Sequence, residues 1–284
     1  MAQLIGGLAT SHIPAIGGAI HKGLQQEPYW KPFFDGYPPI HQWLGQVRPD
    51  VVVVFYNDHG LNFFLDKMPT FAVGAASEYH NADEGWGIPT LPPVQGCPDL
   101  SWHLIKELIA KEFDIVTCQE MLVDHACTLP LKLFWPNDEV APVRIVPIDI
   151  NTVQFPLPTA KRVYKLGKAV GEAIVSWNSD QRVAVMATGG LSHQLDGERA
   201  GFINKKFDLQ FLQSMESNPE WATQFSDVEL VELAGTQGVE LLMWLAMRAA
   251  LTAAGPGVRK VHSNYHIPIS NTATGVLALE PIAA

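Results

Sequence analysis

Residues 51–56, VVVVFY, form an unbroken apolar run that ends abruptly in Asn57, Asp58, His59 and Gly60. So short a run of β-branched and aromatic residues, closed by turn formers, predicts a strand buried on both faces, as in a sheet covered by helices. Residues 4–10, LIGGLAT, repeat the design and lead into Ser11 and His12. Residues 182–190, RVAVMATGG, do so again and lead into Leu191, Ser192 and His193. Shorter apolar runs at 70–76, 113–119, 143–150, 259–266 and 275–280 predict further strands.

Between these runs the apolar period lengthens to that of a helix. Val163, Leu166, Val170, Ile174 and Trp177 share one face of a helix over 160–177. Asp99 is placed to cap a helix over 101–113. A third helix covers 204–215 through Phe207, Phe211, Leu212 and Met215, and a short one over 227–235 is stopped by Gly235. Trp43 and Leu44 fit a helix preceding the 51–56 strand, and 238–253 reads as a helix apolar nearly all round. Residues 81–100 are rich in Pro and Gly and read as a long, ordered loop. With no internal repeat, low-complexity tract or linker, the pattern predicts an α/β fold: one domain over 1–284, a central mixed sheet with helices on both faces.

Composition narrows the function classes. A chain of 284 residues, 47% hydrophobic, can bury about three quarters of its unfolded surface. A formal charge of −10 without a long Lys or Arg run argues against nucleic acid and anionic membranes as partners. Cys97, Cys118 and Cys127 are too few and scattered for a disulfide framework or a Cys-rich zinc site. The N-terminus has no basic segment ahead of an apolar core, and the most apolar stretch is interrupted by Glu240 and Arg248. A soluble cytoplasmic protein is the expectation.

Candidate chemistry gathers at the strand ends. His12, His59 and His193 each follow a buried strand, and in open α/β sheets ligands occupy the crevice beyond the carboxyl ends of strands. Asn-Asp-His-Gly is equally good turn chemistry. Glu240 lies among Val239, Leu241, Leu242, Met243 and Trp244, and the residues three and four positions away are not cationic. A buried carboxylate must be compensated, by a distant Arg or Lys or by a metal. Two neutral histidines and one carboxylate form the facial triad of non-haem Fe(II) oxygen chemistry, and the same set serves catalytic zinc. GLSHQ at 190–194 sits where a hydrolase's nucleophile elbow would, but Gln194 stands where that motif needs glycine.

SHIPAIGGAI, YNDHG, ADEGWG, DHACTLPL, TGGLSHQL, GVELLMW and YHIPISNTATG, spread from the first strand to the last, resemble the class III extradiol ring-cleaving dioxygenases. The resemblance is to the catalytic β subunit of protocatechuate 4,5-dioxygenase and its gallate dioxygenase relatives. It implies an oligomeric enzyme that cleaves a carboxylated catechol with O2 beside its two hydroxyls, giving a muconate semialdehyde. It implies Fe(II) as cofactor, with His12, His59 and Glu240 as ligands and His193 as acid/base. Ser270 and Asn271 would hold the substrate's carboxylate, where simple turn formation is the other reading, and His125 would lie beside the ring. Asp124 can orient an imidazole or simply cap the helix HACTLPLKLF, and the loop at 82–87 can cover the site or be an ordered surface loop with satisfied carboxylates. Protocatechuate ranks ahead of gallate and 3-O-methylgallate, and the chain lacks the extra length of the fused gallate enzymes, which favours a separate small α subunit. A zinc hydrolase using the same triad, and a non-catalytic subunit keeping the fold, are the alternatives. All three ligand positions are filled, which weighs against the second.

Overall fold

The computed structural model describes residues 1–282 other than Trp86 and Ile88. Its strands are β1 (Gln3–Thr10), β2 (Val51–Tyr56), β3 (Phe71–Gly74), β4 (Glu78–Asn81), β5 (Val94–Gln95), β6 (Val116–Cys118), β7 (Leu122–Val123), β8 (Arg144–Ile150), β9 (Arg182–Thr188), β10 (Val258–Ile269) and β11 (Thr272–Pro281). Its helices are α1 (Pro14–His21), α2 (Lys31–Phe34), α3 (Pro38–Val47), α4 (Pro98–Ala110), α5 (His125–Phe134), α6 (Ala160–Ser176), α7 (Lys205–Ser217), α8 (Asp227–Ala234) and α9 (Leu241–Ala250).

Eight strands form one sheet in the order β10-β11-β1-β9-β2-β8-β3-β6. β1, β9, β2 and β8 run parallel. β11 and β3 flank them antiparallel, so the sheet is mixed, as expected. Because β9 lies between β1 and β2, the three strands that end in histidines are neighbours, and their carboxyl ends share one edge. That adjacency is the contribution of the fold to the site.

The valine run packs in two directions, as period-2 alternation requires. Val51, Val53 and Phe55 join the core formed with α4, α6, α7 and α9, whereas Val52, Val54 and Tyr56 join the one formed with α1, α2, α3 and α5. Helices α6 and α9 approach closely over two glycines. A Cβ on Gly171 would lie 2.1 Å from the Ala250 carbonyl oxygen, and one on Gly167 would lie 2.2 Å from that of Ala246.

Several expectations need correction. Asp99 is not the cap of α4 but lies within its first turn; Cys97 occupies the cap position and Pro98 opens the helix. Proline's fixed φ and missing N–H suit that first position, which overrides the capping preference of Asp99. The apolar segment 238–253 is not one α-helix: a 3-10 turn at Gly238–Glu240 precedes α9, and another at Leu251–Ala253 follows it. Helix α1 was masked by its two glycines, and the loop at 81–100 contributes β5 to a small second sheet, β5-β4-β7. Part of the 82–87 segment, Trp86, lies outside the described residues. Among the described residues no single helix is long and apolar enough to cross a membrane.

Gly171→Val should overpack the α6–α9 contact and cost about 1–3 kcal/mol of stability. A lower urea midpoint with an unchanged m-value would show it, and an unchanged midpoint would contradict the close packing.

Candidate metal centre

Four side chains converge from the shared sheet edge and from the turn before α9. The Nε2 atoms of His12 and His59 lie 3.5 and 3.8 Å from Glu240 Oε1. His193 Nε2 lies 3.9 Å from the other carboxylate oxygen, Oε2. Histidines are thus the ion-pair partners of Glu240 among the described residues, and no Lys or Arg compensates it.

The backbone around Glu240 is shaped to receive it. Gly190 N–H donates to Glu240 Oε2 at 2.8 Å. Gly189 has φ +93°, and a Cβ there would lie 2.7 Å from the same oxygen, so both conformation and space demand glycine. The indole of fully buried Trp244 donates to the Gly189 carbonyl at 3.0 Å and holds the strand end in place.

Each imidazole is tethered through its far nitrogen. His12 Nδ1 lies 3.2 Å from Thr188 Oγ1, and His59 Nδ1 lies 2.8 Å from Asp124 Oδ2. Such outer partners fix ring orientation and leave Nε2 to ligate. His193 Nδ1 meets the Leu191 carbonyl oxygen at 2.8 Å. A carbonyl only accepts, so this bond places the proton on Nδ1 and leaves Nε2 of the neutral ring as a base.

Electrostatics follow from these contacts. Burial alone would raise the Glu240 carboxyl, but the charges and hydrogen bonds of His12 and His59 outweigh it and hold it well below the usual range. Burial presses His12 toward its neutral form. Burial opposes charge on His59 as well, yet hydrogen bonds to Asp124 and Glu240 win and lift its pKa to about 10. Two buried carboxylates therefore call for a cation at His59, a demand that a proton or a divalent metal can meet. The residues fit such a metal: two anchored imidazoles and one carboxylate face a common point.

The other expected residues distribute unevenly. His125 lies within the cluster, its ring centroid 4.4 Å from that of His59 and 5.2 Å from that of His12. Ring nitrogens of His12, His59 and His125 all lie within 4.8 Å of one another. Asp124 does both: it caps α5 through Ala126 N–H and it orients an imidazole, that of His59. His125 is gripped instead by Glu84, which meets its Nδ1 and its backbone N–H at 2.7 Å each. Ser270 and Asn271 form the exposed turn between β10 and β11, and Ser270 N–H donates to the Tyr29 hydroxyl. Thr272, next along, bridges to His193 and lines the cavity above the cluster. That cavity, of about 830 Å³, is walled by His12, His59, His125, His193 and Glu240 among others.

Asp208 was missed. It accepts from Ser192 N–H and Oγ–H at 2.9 and 2.6 Å and from Tyr265 O–H at 2.8 Å, bracing the residue before His193. Its signal was a carboxylate beside Phe207, Phe211 and Leu212 on the apolar face of α7. The same bonds bury Ser192, which is fully enclosed and faces Asp208 rather than the cavity, so a serine nucleophile has no place here.

Two sheet-anchored imidazoles and a buried carboxylate, facing a cavity at the carboxyl edge of a mixed sheet, define a site able to hold a divalent metal and an organic substrate together. The chain belongs to the family described as the catalytic LigB subunit of aromatic ring-opening dioxygenase, which matches residues 6–275. It is 42% identical to a gallate dioxygenase of Pseudomonas putida over 70% of this chain and 57% of that one, and so matches little more than half of that relative. A 2,3-dihydroxyphenylpropionate/2,3-dihydroxicinnamic acid 1,2-dioxygenase of Photorhabdus laumondii is 28% identical over 95% of this chain and 94% of its own. An uncharacterized protein of Escherichia coli K12 shares the fold, with a TM-score of 0.55 at 15% identity over 98% of this chain and all of its own.

Asp124→Asn keeps a good helix cap but removes the charge behind His59. It should weaken metal affinity about 10–100-fold with little loss of helix content. Competition with a chelator, alongside far-UV circular dichroism, checks this; unchanged affinity would refute the role assigned to Asp124.

Proposed function

We propose that the chain is an Fe(II)-dependent extradiol dioxygenase that opens the ring of a carboxylated catechol, protocatechuate foremost, to a muconate semialdehyde. The observation that carries this reading is the convergence of His12 and His59 Nε2 on one oxygen of Glu240 beneath an 830 Å³ cavity, in a chain of this family. His12, His59 and Glu240 would hold Fe(II), which would supply the one-electron chemistry that lets O2 react with a closed-shell ring.

The protein's own groups do the rest. His193 Nε2, left basic by the Leu191 carbonyl on Nδ1, takes a catechol hydroxyl proton as substrate binds and returns it when the ring rearranges. His125, beside His12 and His59, stands against the ring. Ser270 and Asn271, on the turn that leads into cavity-lining Thr272, offer neutral donors to the carboxylate. Both atoms of O2 enter the product, so no external reductant is needed. Gallate, which the Pseudomonas relative is named for, ranks second, and 3-O-methylgallate third. A zinc hydrolase with the same ligands is the competing reading, separated by metal content and by O2 uptake.

Anaerobically Fe(II)-loaded protein, alone and with any small subunit that copurifies, should consume one O2 per protocatechuate and form a yellow semialdehyde. Zinc-loaded protein should consume none. His193→Phe should keep its iron and lose about 10²–10⁴-fold in turnover. Glu240→Ala should lose the iron itself. Hydrolysis by the zinc form, normal turnover by the first variant or full iron in the second would overturn these assignments.

A further inference from the structure

We infer that Lys22 is the counter-ion for the substrate's acid group, an inference that rests on the carboxylated-catechol reading and gives it a selecting residue. Helix α1 leaves the metal site directly after His12, and its residues Pro14, Ala15, Gly18 and Ala19, with its C-cap Lys22, line the cavity. Steps of four residues place them on one helical face. That face is low: an added Cβ on Gly18 would meet nothing within 4 Å. It forms a flat floor that runs outward from His12 and ends in a cation.

The distances suit an aromatic acid. Eight residues of helix set the Cα of Lys22 ~12 Å from that of Pro14. Lys22 is the exposed C-cap residue of α1, and its four-carbon stem is long enough to reach back over the floor toward the metal end. A ring held at His12 and His59 would then point its acid substituent along α1 at the ammonium.

Charge makes the same demand. The chain carries a net −10, so an anionic substrate approaches a repulsive surface and needs a local cation. Lys22 is the sole lysine or arginine among the described residues that line the cavity, and among the described residues it has no carboxylate partner. Ser270 and Asn271 are neutral, and the Ser270 N–H is already given to Tyr29. They can orient a carboxylate but cannot balance its charge.

The test compares wild type, Lys22→Met and Lys22→Arg as anaerobically Fe(II)-loaded protein. Protocatechuate and plain catechol binding are measured by calorimetry without O2, and kcat/KM for each is then measured with O2. Lys22→Met should lower the preference for protocatechuate over catechol about tenfold in both measurements, the scale of one charge-assisted contact. Lys22→Arg should retain the preference, and added salt should erode it in wild type but not in Lys22→Met. An unaltered preference in Lys22→Met overturns the inference, even if the variant melts earlier through loss of a favourable charge at the α1 terminus. A wild type that favours catechol, or turns over neither, refutes the carboxylated-substrate reading itself.

Discussion

The structure of the site depends on one desolvated carboxylate. Glu240 is only 6% exposed and, among the described residues, has no Lys or Arg beside it. An ion taken out of water costs several kcal/mol unless partners replace its hydration. Here they are imidazoles on one side and the Gly190 N–H on the other. Bringing Glu240 into that pocket explains three local irregularities at once. The apolar helix breaks into a 3-10 turn at Gly238–Glu240. Residues 189 and 190 are glycines with positive φ. Trp244, one turn into α9, spends its indole N–H on Gly189.

Around this centre each imidazole is held by a partner from the sheet or from its border. Thr188 ends β9 and meets His12, while Asp124 opens α5 and meets His59. The Asn-Asp-His-Gly tip divides its labour. The Asp58 carboxylate gathers the N–H groups of Gly60, Leu61, Asn62 and Phe63 into a tight turn. Asp149, at the end of β8, accepts the N–H of Asp58. Turn chemistry and functional chemistry are therefore both present in one tetrapeptide, and the first makes the second rigid. His59 reaches the crevice because Asp58 has already fixed the chain on either side of it.

Much of this is legible in the sequence. A run of valines announces a doubly covered strand, and a glutamate inside an apolar helix announces a charge that needs an explanation. Strand order was not legible, because parallel pairing of β1, β9 and β2 joins segments more than a hundred residues apart. No local pattern encodes that neighbourhood. Asp124 shows the same limit. Its position before α5 reads as a cap and as a neighbour of His125, yet its second oxygen turns to His59, 65 residues earlier. Helix α1 was lost for the opposite reason: the small residues that clear the cavity floor also dilute the apolar period by which helices are recognised.

These small residues link fold to selectivity. Ala15, Gly18 and Ala19 border the cavity, and a Cβ added at Gly18 would stand in open space rather than against a neighbour. In the proposed reaction their small size has a purpose, because it opens a lane from the metal end of α1 to the cation at its far end. The site then has two electrostatic poles. At one, Asp124 and Glu240 call for positive charge among the histidines. At the other stands Lys22, the one lysine or arginine among the described residues that line the cavity. A neutral catechol engages the first pole only, whereas a catechol with an acid on its distal side engages both. Their separation along α1 is set by the geometry of the helix, so the position of the acid group on the ring is measured against a rigid element rather than a loop.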